Sequence, residues 1–135
     1  HSRADLIRAV IEGVSYSQKD CLEIVEGLGV PVEAVRASGG GGQNPFWRQV
    51  LADMFGKRVA SLETQEGSAY GAALLAMAGT GHYASVPEAC RATIREVGSV
   101  APRAHEFQIY KRGYEVYKAL YPCLRPLYGL IGSLE

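Results

Sequence analysis

The sequence predicts an α/β fold in which one helix precedes a strand–helix–strand unit and three further helices follow. Within residues 32–62, two short apolar runs flank a capped amphipathic helix, which is typical of two buried strands joined by a helix. Outside that segment, apolar residues recur at the three- and four-residue spacing of amphipathic helices. The central unit is therefore expected to be a right-handed βαβ crossover with parallel strands.

Composition and charge restrict the classes of function. Of the 135 residues, 47% are hydrophobic and 21% are charged, as in ordinary globular domains. Fourteen basic side chains balance fourteen acidic ones, so we expect no nucleic-acid partner and no anionic membrane partner. No apolar run approaches the roughly 20 residues of a membrane span, and the amino terminus lacks a signal-peptide pattern. A cytoplasmic location is expected.

The cysteines and histidines are few and scattered. Cys21, Cys90 and Cys123 are widely spaced among apolar residues, and we interpret them as reduced thiols of the core. The three histidines are equally dispersed along the chain, so no metal site is predicted.

The first helix is predicted to start at Ser2, which forms a capping pair with Asp5, and to run to about Gly27 or Gly29. Glu12 in this helix is interpreted as a solvated carboxylate or as a structural hydrogen-bond acceptor. The apolar positions of the helix fall on one stripe, made by Ile7, Ile11, Val14, Cys21, Val25 and Leu28.

The central unit begins with a strand predicted over 32–37 and a glycine loop over 39–42. Glycine lacks a Cβ atom, so this backbone can take positive φ values and approach a ligand closely. Asn44 and Pro45 predict a helix start, because Asn caps free N–H groups and Pro suits the first turn. The helix is expected to end at Gly56, and its N-terminus next to the loop favours an anion.

The helix of the unit is expected to bury one apolar face, made by Phe46, Val50, Leu51 and Met54 or Phe55. We interpret Trp47 as a packing residue and Arg48 as a solvated side chain. The second strand is predicted over 59–62.

Three helices are predicted after the unit. The first, Thr64 to Gly79, carries small residues that permit close approach to the sheet or to the first helix. The second starts at the Ser85 capping box and carries apolar residues inward as far as Val97. The last starts near Glu106 and is expected to break at its two prolines, 122 and 126. Its tyrosines share one face and are interpreted as a packing stripe of Tyr110, Tyr114, Tyr117 and Tyr121.

The residue pattern of the glycine segment by itself allows two interpretations. One is a flexible connector in a non-enzymatic helical interaction domain. The other is the dinucleotide-binding turn of an oxidoreductase, with Glu63 as the ribose-binding carboxylate. The G-x-G-x-x-G pattern would require glycine at Asn44 or Pro45, and no P-loop pattern occurs anywhere in the chain.

A third interpretation rests on resemblance. The segment SGGGGQNPFWRQVLADMFGKRV resembles the adenosine-binding segment of the FGGY carbohydrate kinases, and within them most of all the xylulokinases. RAVIEGVSYSQKDCLEI before it and EGSAYGAALLAMAG after it resemble the neighbouring helices of that family, in the same order. The resemblance implies a partial ribonuclease H-like domain, similar in fold to actin, hexokinase and the Hsp70 ATPase domain, with ATP in the cleft between two such domains.

The resemblance also implies what the parent enzyme does and which residues contribute. Such kinases transfer the γ-phosphoryl group of ATP to a ketose hydroxyl with Mg²⁺ and an aspartate base. By motif position, Gly39, Gly40 and Gly41 would lie against the nucleotide, and Asn44 would hydrogen-bond the adenine edge. No catalytic residue is assigned, because the candidate aspartates lie on predicted helices; they are Asp5, Asp20 and Asp53.

Residues 1–133 are accordingly expected to be the carboxy-terminal portion of the second, ATP-binding domain, and residues 134–135 are interpreted as possible vector sequence. The sugar site and the base are expected in the remainder of the enzyme, so the isolated chain should be inactive. An unpaired sheet edge and exposed apolar surface are also expected, and with them self-association.

Overall fold

A computed structural model describes residues 1–64 and 66–132. The possible vector residues 134–135 therefore lie outside the described part. In chain order the elements of that part are α1 (Arg3–Gly27), β1 (Ala34–Ala37), α2 (Gly39–Gln43), α3 (Pro45–Phe55), β2 (Arg58–Leu62), α4 (Gly67–Gly79), α5 (Val86–Thr93), β3 (Glu96–Val100) and α6 (Ala104–Gly132). The mixed α/β class is confirmed, with a strand and a short helix beyond those predicted.

The three strands form one sheet in the order β1-β2-β3. β1 and β2 are parallel, with Ala34 opposite Arg58 and Ala37 opposite Ser61, so the predicted parallel pairing is confirmed. β3 runs antiparallel to β2. The sequence predicted a helix as far as Val97, and this was wrong because residues 96–100 pair with β2 instead.

The core forms around α3. Its last six residues, Val50 to Phe55, are all buried, and Val59 of β2 and Tyr110 of α6 pack against them. The helix bounds are as predicted, with Pro45 in the first turn and Gly56 in the left-handed conformation at the end. Phe46 departs from the prediction, since it is 48% exposed at the start of the helix.

The face that α1 turns to the core differs from the predicted stripe. Ser15 and Lys19 are its buried residues, and Ile11 and Leu22 pack against the core cluster. Most of the predicted stripe is exposed, namely Ile7, Val14, Cys21, Val25 and Leu28. Of the three cysteines expected in the core, Cys21 and Cys123 are exposed. The Ser2 cap is confirmed, because the side chains of Ser2 and Asp5 each accept the other's backbone N–H.

α4 and α5 are in contact with each other, and each has one buried residue, Leu74 in α4 and Ala89 in α5. α4 was predicted to approach the sheet or α1 closely, but its main contact is with α5. α4 also begins at Gly67 and not at Thr64, whereas the Ser85 cap of α5 is confirmed.

α6 crosses α1 and is held there by tyrosines. Tyr110 and Tyr114 are buried, and Tyr16 of α1 stacks on Tyr114 and Tyr117 with ring centroids 6.0 and 5.2 Å apart. The Tyr114 hydroxyl donates to Asp20 at 2.5 Å. The packing stripe is therefore confirmed for its first three members, whereas Tyr121 is 62% exposed.

The predicted break of α6 at Pro122 and Pro126 was wrong, since the helix continues through both residues to Gly132. Each proline removes one hydrogen bond and crowds the preceding turn, but the helical bonds on either side remain. Among residues 1–64 and 66–132, no helix combines the length and the apolar character that crossing a membrane would require.

Candidate functional site

The residues predicted to bind a nucleotide lie at the carboxyl ends of the parallel strands. Gly39 to Asn44 follow β1, and Gly67 begins α4 just after β2. The two segments meet, because a Cβ atom added to Gly67 would lie 3.1 Å from Ser38 Oγ. This edge is where open α/β sheets bind their ligands.

The glycine segment is helical, which corrects the predicted loop. Gly39 to Gln43 form α2, a single short helix that starts directly after Ser38. Glycine is a poor helix former, so neighbouring groups must hold this backbone in place. At two positions the backbone requires glycine. Gly39 has a φ of 72°, and a Cβ atom on Gly42 would lie 2.7 Å from the Ala37 carbonyl group.

The other two glycines face different surroundings. A Cβ atom on Gly41 would lie 3.1 Å from the ring of Trp47, so this glycine lets the indole approach the backbone. Gly40 is exposed, and a Cβ atom there would meet nothing within 4 Å. Gly40 therefore has no steric role within the described chain, and its bare backbone is open to a ligand.

Asn44 joins α2 to α3 and caps the second helix. Its Oδ1 accepts the backbone N–H groups of Phe46 at 2.9 Å and Trp47 at 3.2 Å. These two N–H groups serve the cap, so the start of α3 does not offer them to an anion as predicted. The amide nitrogen of Asn44 makes no hydrogen bond with the described residues, and the side chain is exposed. Asn44 can thus cap the helix and donate to a ligand at once.

Two cavities are lined in part by residues of the 39–44 segment. The first has a volume of about 440 Å³ and runs beside β1, where Gly41, Gly42 and Trp47 line it. The second has a volume of about 490 Å³ and is lined by Asn44, Phe46 and the first turns of α1, namely Ala4, Asp5, Ile7, Arg8 and Ile11. Asn44 belongs to the second cavity, where aliphatic and aromatic side chains accompany its amide, a combination suited to a flat base.

Trp47 packs as predicted. Its ring is half-buried against the core cluster, and its Nε1–H donates to Ser15 Oγ at 3.0 Å. Ser15 is fully buried and donates in turn to the Ile11 carbonyl at 2.7 Å. The indole thus connects α1 to the glycine segment.

Arg48 is not the solvated side chain that was predicted. Its Nη1 donates to the carbonyls of Gly42 at 2.9 Å and Gln43 at 3.4 Å, which end α2. Sequence reasoning could have found this contact, since a basic residue in the first turns of a helix can reach back to carbonyls that end the preceding one.

The aspartates considered as bases all have structural partners. Asp5 caps α1, Asp20 accepts the Tyr114 hydroxyl, and Asp53 accepts from Arg103. Asp53 is fully buried; burial alone would raise its pKa, but hydrogen bonds from Arg103 and Gln49 hold that pKa below its ordinary value. None of the three is placed as a free general base.

Glu12 is a structural acceptor, which was one of its two predicted roles. It accepts from Arg8 Nε at 2.7 Å and from the Tyr110 hydroxyl at 2.9 Å. Burial, and then the hydrogen bond to Glu12, raise the pKa of Tyr110 to about 12. Arg8 thereby presents a fixed side chain to the second cavity. In the part of the chain that the structure describes, no group of His, Cys, Asp and Glu residues is placed to hold a metal ion.

Comparison with known proteins identifies the family. Residues 1–80 match the FGGY family of carbohydrate kinases, C-terminal domain. Xylulose kinase of Bacillus subtilis (strain 168) is 38% identical over 135 residues, which cover all of this chain and 27% of that protein. L-xylulose/3-keto-L-gulonate kinase of Escherichia coli (strain K12) is 33% identical over 131 residues, which cover 97% of this chain and 26% of that protein.

A solved structure agrees with the sequence comparison. The crystal structure of xylulose kinase from Rhodospirillum rubrum matches with a TM-score of 0.80 at 29% identity, over 96% of this chain and 26% of that one. The chain thus spans 27% or less of the length of these relatives. The dinucleotide-binding and connector interpretations of the glycine segment gain no support from these matches. With its first 80 residues matched to the C-terminal domain and its remainder aligned to xylulose kinases, the chain belongs to the FGGY family of carbohydrate kinases.

Proposed function

We propose that this chain is the adenine-nucleotide-binding portion of an ATP-dependent sugar kinase whose substrate is a ketose of the xylulose type. Family membership supports sugar phosphorylation as the general activity, and the xylulose kinase relatives support the substrate class. The observation that carries nucleotide binding is Asn44, which lines a cavity of about 490 Å³ and whose amide nitrogen has no hydrogen-bond partner among the described residues.

In this proposal the adenine base enters the cavity between α1 and the start of α3. Ile7 and Ile11 provide aliphatic surface, Phe46 provides an aromatic ring, and Asn44 donates to an acceptor on the edge of the base. Gly40 precedes Asn44 in the same segment, and its exposed backbone has room for a ribose or phosphate group. Gly39 and Gly41 contribute by shaping the turn.

The remaining parts of the reaction are assigned to the rest of the enzyme. Phosphoryl transfer needs Mg²⁺, a general base and positioned phosphate and sugar groups. We propose that residues 1–133 form the carboxy-terminal part of the second of two ribonuclease H-like domains, and that the sugar site and base lie in the other parts of a cytoplasmic enzyme. Asp5, Asp20 and Asp53 each accept hydrogen bonds from groups of the fold, so none is available as a base and the isolated chain should not phosphorylate a sugar. Sugar-dependent release of ADP in a coupled assay would refute this.

The nucleotide-binding proposal can be tested through Trp47, the only tryptophan of the chain. Its ring lies against Gly41, so its fluorescence should respond when a ligand occupies the adjoining turn. Mg-ADP and NAD are titrated separately into the wild-type chain. A saturable response to Mg-ADP, with a weaker response to NAD, is expected.

Two variants of Asn44 separate its cap from its amide donor. Asn44→Ser keeps an oxygen that can cap α3 but loses the amide, so affinity for Mg-ADP should fall while thermal stability stays near that of the wild type. Asn44→Ala should lose both, with a cost in stability of about 1 kcal/mol. If Asn44→Ser binds Mg-ADP as tightly as the wild type does, the assignment of Asn44 to the adenine edge is wrong.

We also propose that the chain self-associates through the free edge of β1. Within the described residues β1 pairs only with β2, and many large apolar side chains are exposed around the molecule. Unpaired strand edges and apolar patches of this kind favour association. Light scattering over a range of concentrations should therefore show dimers or larger species, and a monomer at all concentrations would refute the proposal.

A further inference from the structure

We propose that Arg48 is a positioning residue for the nucleotide site, which holds α2 in the shape that presents the backbone of Gly39 to Gly41. The inference rests on the proposed function for its binding consequence, but its structural step can be tested without a nucleotide.

The contact of Arg48 is directed at the end of α2. Its Nη1 donates to the carbonyl oxygens of Gly42 at 2.9 Å and Gln43 at 3.4 Å. The last carbonyls of a helix have no acceptor role inside that helix, so a side-chain donor is their natural partner. Since Arg48 lies in α3, its side chain ties the two helices together across Asn44.

α2 needs such a partner because it has little stability of its own. Four of its five residues are glycines, and each weakens a helix by about 1 kcal/mol relative to alanine. Ser38 stands at the N-cap but makes no side-chain capping bond. The other supports are steric, from the Trp47 ring against Gly41 and from Ala37 against Gly42. Arg48 thus provides the polar contact that fixes the end of the helix.

The environment of the guanidinium group also favours this role. Arg48 Nε is buried and has no hydrogen-bond partner among the described residues. The hydrogen bonds that the guanidinium group makes with the described residues are therefore those from Nη1 to the Gly42 and Gln43 carbonyls, both at the end of α2.

A loosened α2 should weaken nucleotide binding without any change in the groups that touch the nucleotide. Apparent affinity falls in proportion to the fraction of molecules whose turn is formed. Arg48→Met keeps a long side chain and removes every donor. We expect it to raise the dissociation constant for Mg-ADP about tenfold, the size expected for loss of a charge-assisted hydrogen bond.

The experiment combines Mg-ADP titration with amide hydrogen exchange. The Asn44 N–H donates to the Gly41 carbonyl at 3.3 Å and reports on α2, while the Met54 N–H reports on the core of α3. Arg48→Met should speed exchange at Asn44 about tenfold and leave exchange at Met54 unchanged. Arg48→Lys should recover much of the wild-type exchange and affinity, because an ammonium group can still bind one of the carbonyls. Arg91→Met, at an exposed arginine of α5, is the matched control and should change neither.

The outcomes separate this inference from the proposed function. Unchanged exchange at Asn44 in Arg48→Met would overturn the positioning role. Faster exchange in a chain whose wild type binds no Mg-ADP would support the structural step, in which Arg48 holds α2, and count against the proposed function. If Arg48→Met also exposes the Met54 amide, Arg48→Lys decides: recovery of protection at both amides supports the role, and no recovery overturns it.

Discussion

α3 and the second half of α6 are both apolar helical segments, but they have opposite surroundings. The residues from Val50 to Phe55 are all buried, between α1, α6 and the sheet. The residues of α6 from Lys118 to Gly132 are all exposed, among them Leu127 at 48% and Ile131 at 60%. The difference shows that apolar composition predicts a face that can be buried, while the number of neighbouring elements decides whether it is.

Substitution of one residue in each segment should give the largest contrast. Met54 is fully buried, so Met54→Ala should lower the free energy of unfolding by about 3 to 4 kcal/mol through lost contacts and a cavity. Leu127→Ala, at an exposed position, should change it by less than about 0.5 kcal/mol. Urea unfolding followed by circular dichroism measures both. Similar losses in the two variants would mean that the distal part of α6 is packed in solution.

Asp53 tests whether the α3 core depends on a buried charge. Its carboxylate accepts the backbone N–H of Arg103 at 2.8 Å and the guanidinium group at 2.6 and 3.1 Å. Asp53→Asn should therefore cost about 2 kcal/mol, measured by urea unfolding at pH 7. Glu33→Gln, which removes the negative charge of an exposed carboxylate, is the control for the change in net charge.

The same carboxylate predicts a pH dependence. Its pKa is lower in the folded chain than the ordinary value of 3.8, so its stabilising effect is fully present above that value. The effect is lost as the pH falls through the folded pKa. The urea midpoint of the wild type should therefore drop more steeply than that of Asp53→Asn on acidification below about pH 4. Parallel curves for the two proteins would contradict the prediction.

Two tyrosines locate the point at which α6 leaves the body of the molecule. Tyr114→Phe removes a hydroxyl that donates to Asp20 at 2.5 Å and should cost about 1 kcal/mol. Tyr121→Phe, one stripe position beyond Tyr117, should have no measurable effect because its ring is 62% exposed. Thermal unfolding of the two variants compares a turn of α6 that packs against α1 with one that is exposed. Equal effects would mean that the packed part of α6 does not end between Tyr117 and Tyr121.

At Gly40, a small gain in stability and a loss of binding are expected from the same substitution. A Cβ atom there meets nothing within 4 Å and φ is not positive, so Gly40→Ala should stabilise the chain by about 0.5 kcal/mol. The added methyl group should weaken Mg-ADP binding if the nucleotide lies against this backbone. Gly42→Ala, which would place Cβ 2.7 Å from the Ala37 carbonyl, should be destabilising and serves as the contrast. Unchanged affinity in Gly40→Ala would exclude Gly40 from the site.

The parts of the fold that local sequence controls were predicted well. The caps at Ser2, Asn44 and Ser85 and the left-handed Gly56 depend on residues within a few positions, and all four are confirmed. β3 was missed because its pairing with β2 joins residues almost 40 positions apart, and its mostly exposed side chains show no apolar alternation. Only the folded chain brings those two segments together.

The shape of the candidate site differs from the predicted loop, and its role in binding is untested. The glycines and Asn44 were assigned from resemblance, and that assignment stays a prediction. Their helical conformation was missed because glycine disfavours helices and because Arg48, which reaches back to Gly42 and Gln43, was interpreted as a solvated side chain. The wall of the second cavity that α1 provides was missed because Ile7 was placed on a stripe facing the core, which only the folded chain could correct.

The two prolines of α6 have a mechanical consequence. Neither Pro122 nor Pro126 has an N–H group, so the helical bonds that would end at the carbonyls of Lys118 and Pro122 cannot form. Those carbonyls lie one turn apart, so the bending stiffness of the helix is lowest over this stretch. Bending of α6 is therefore expected to concentrate just beyond Tyr117 and to leave the tyrosine contact with α1 in place.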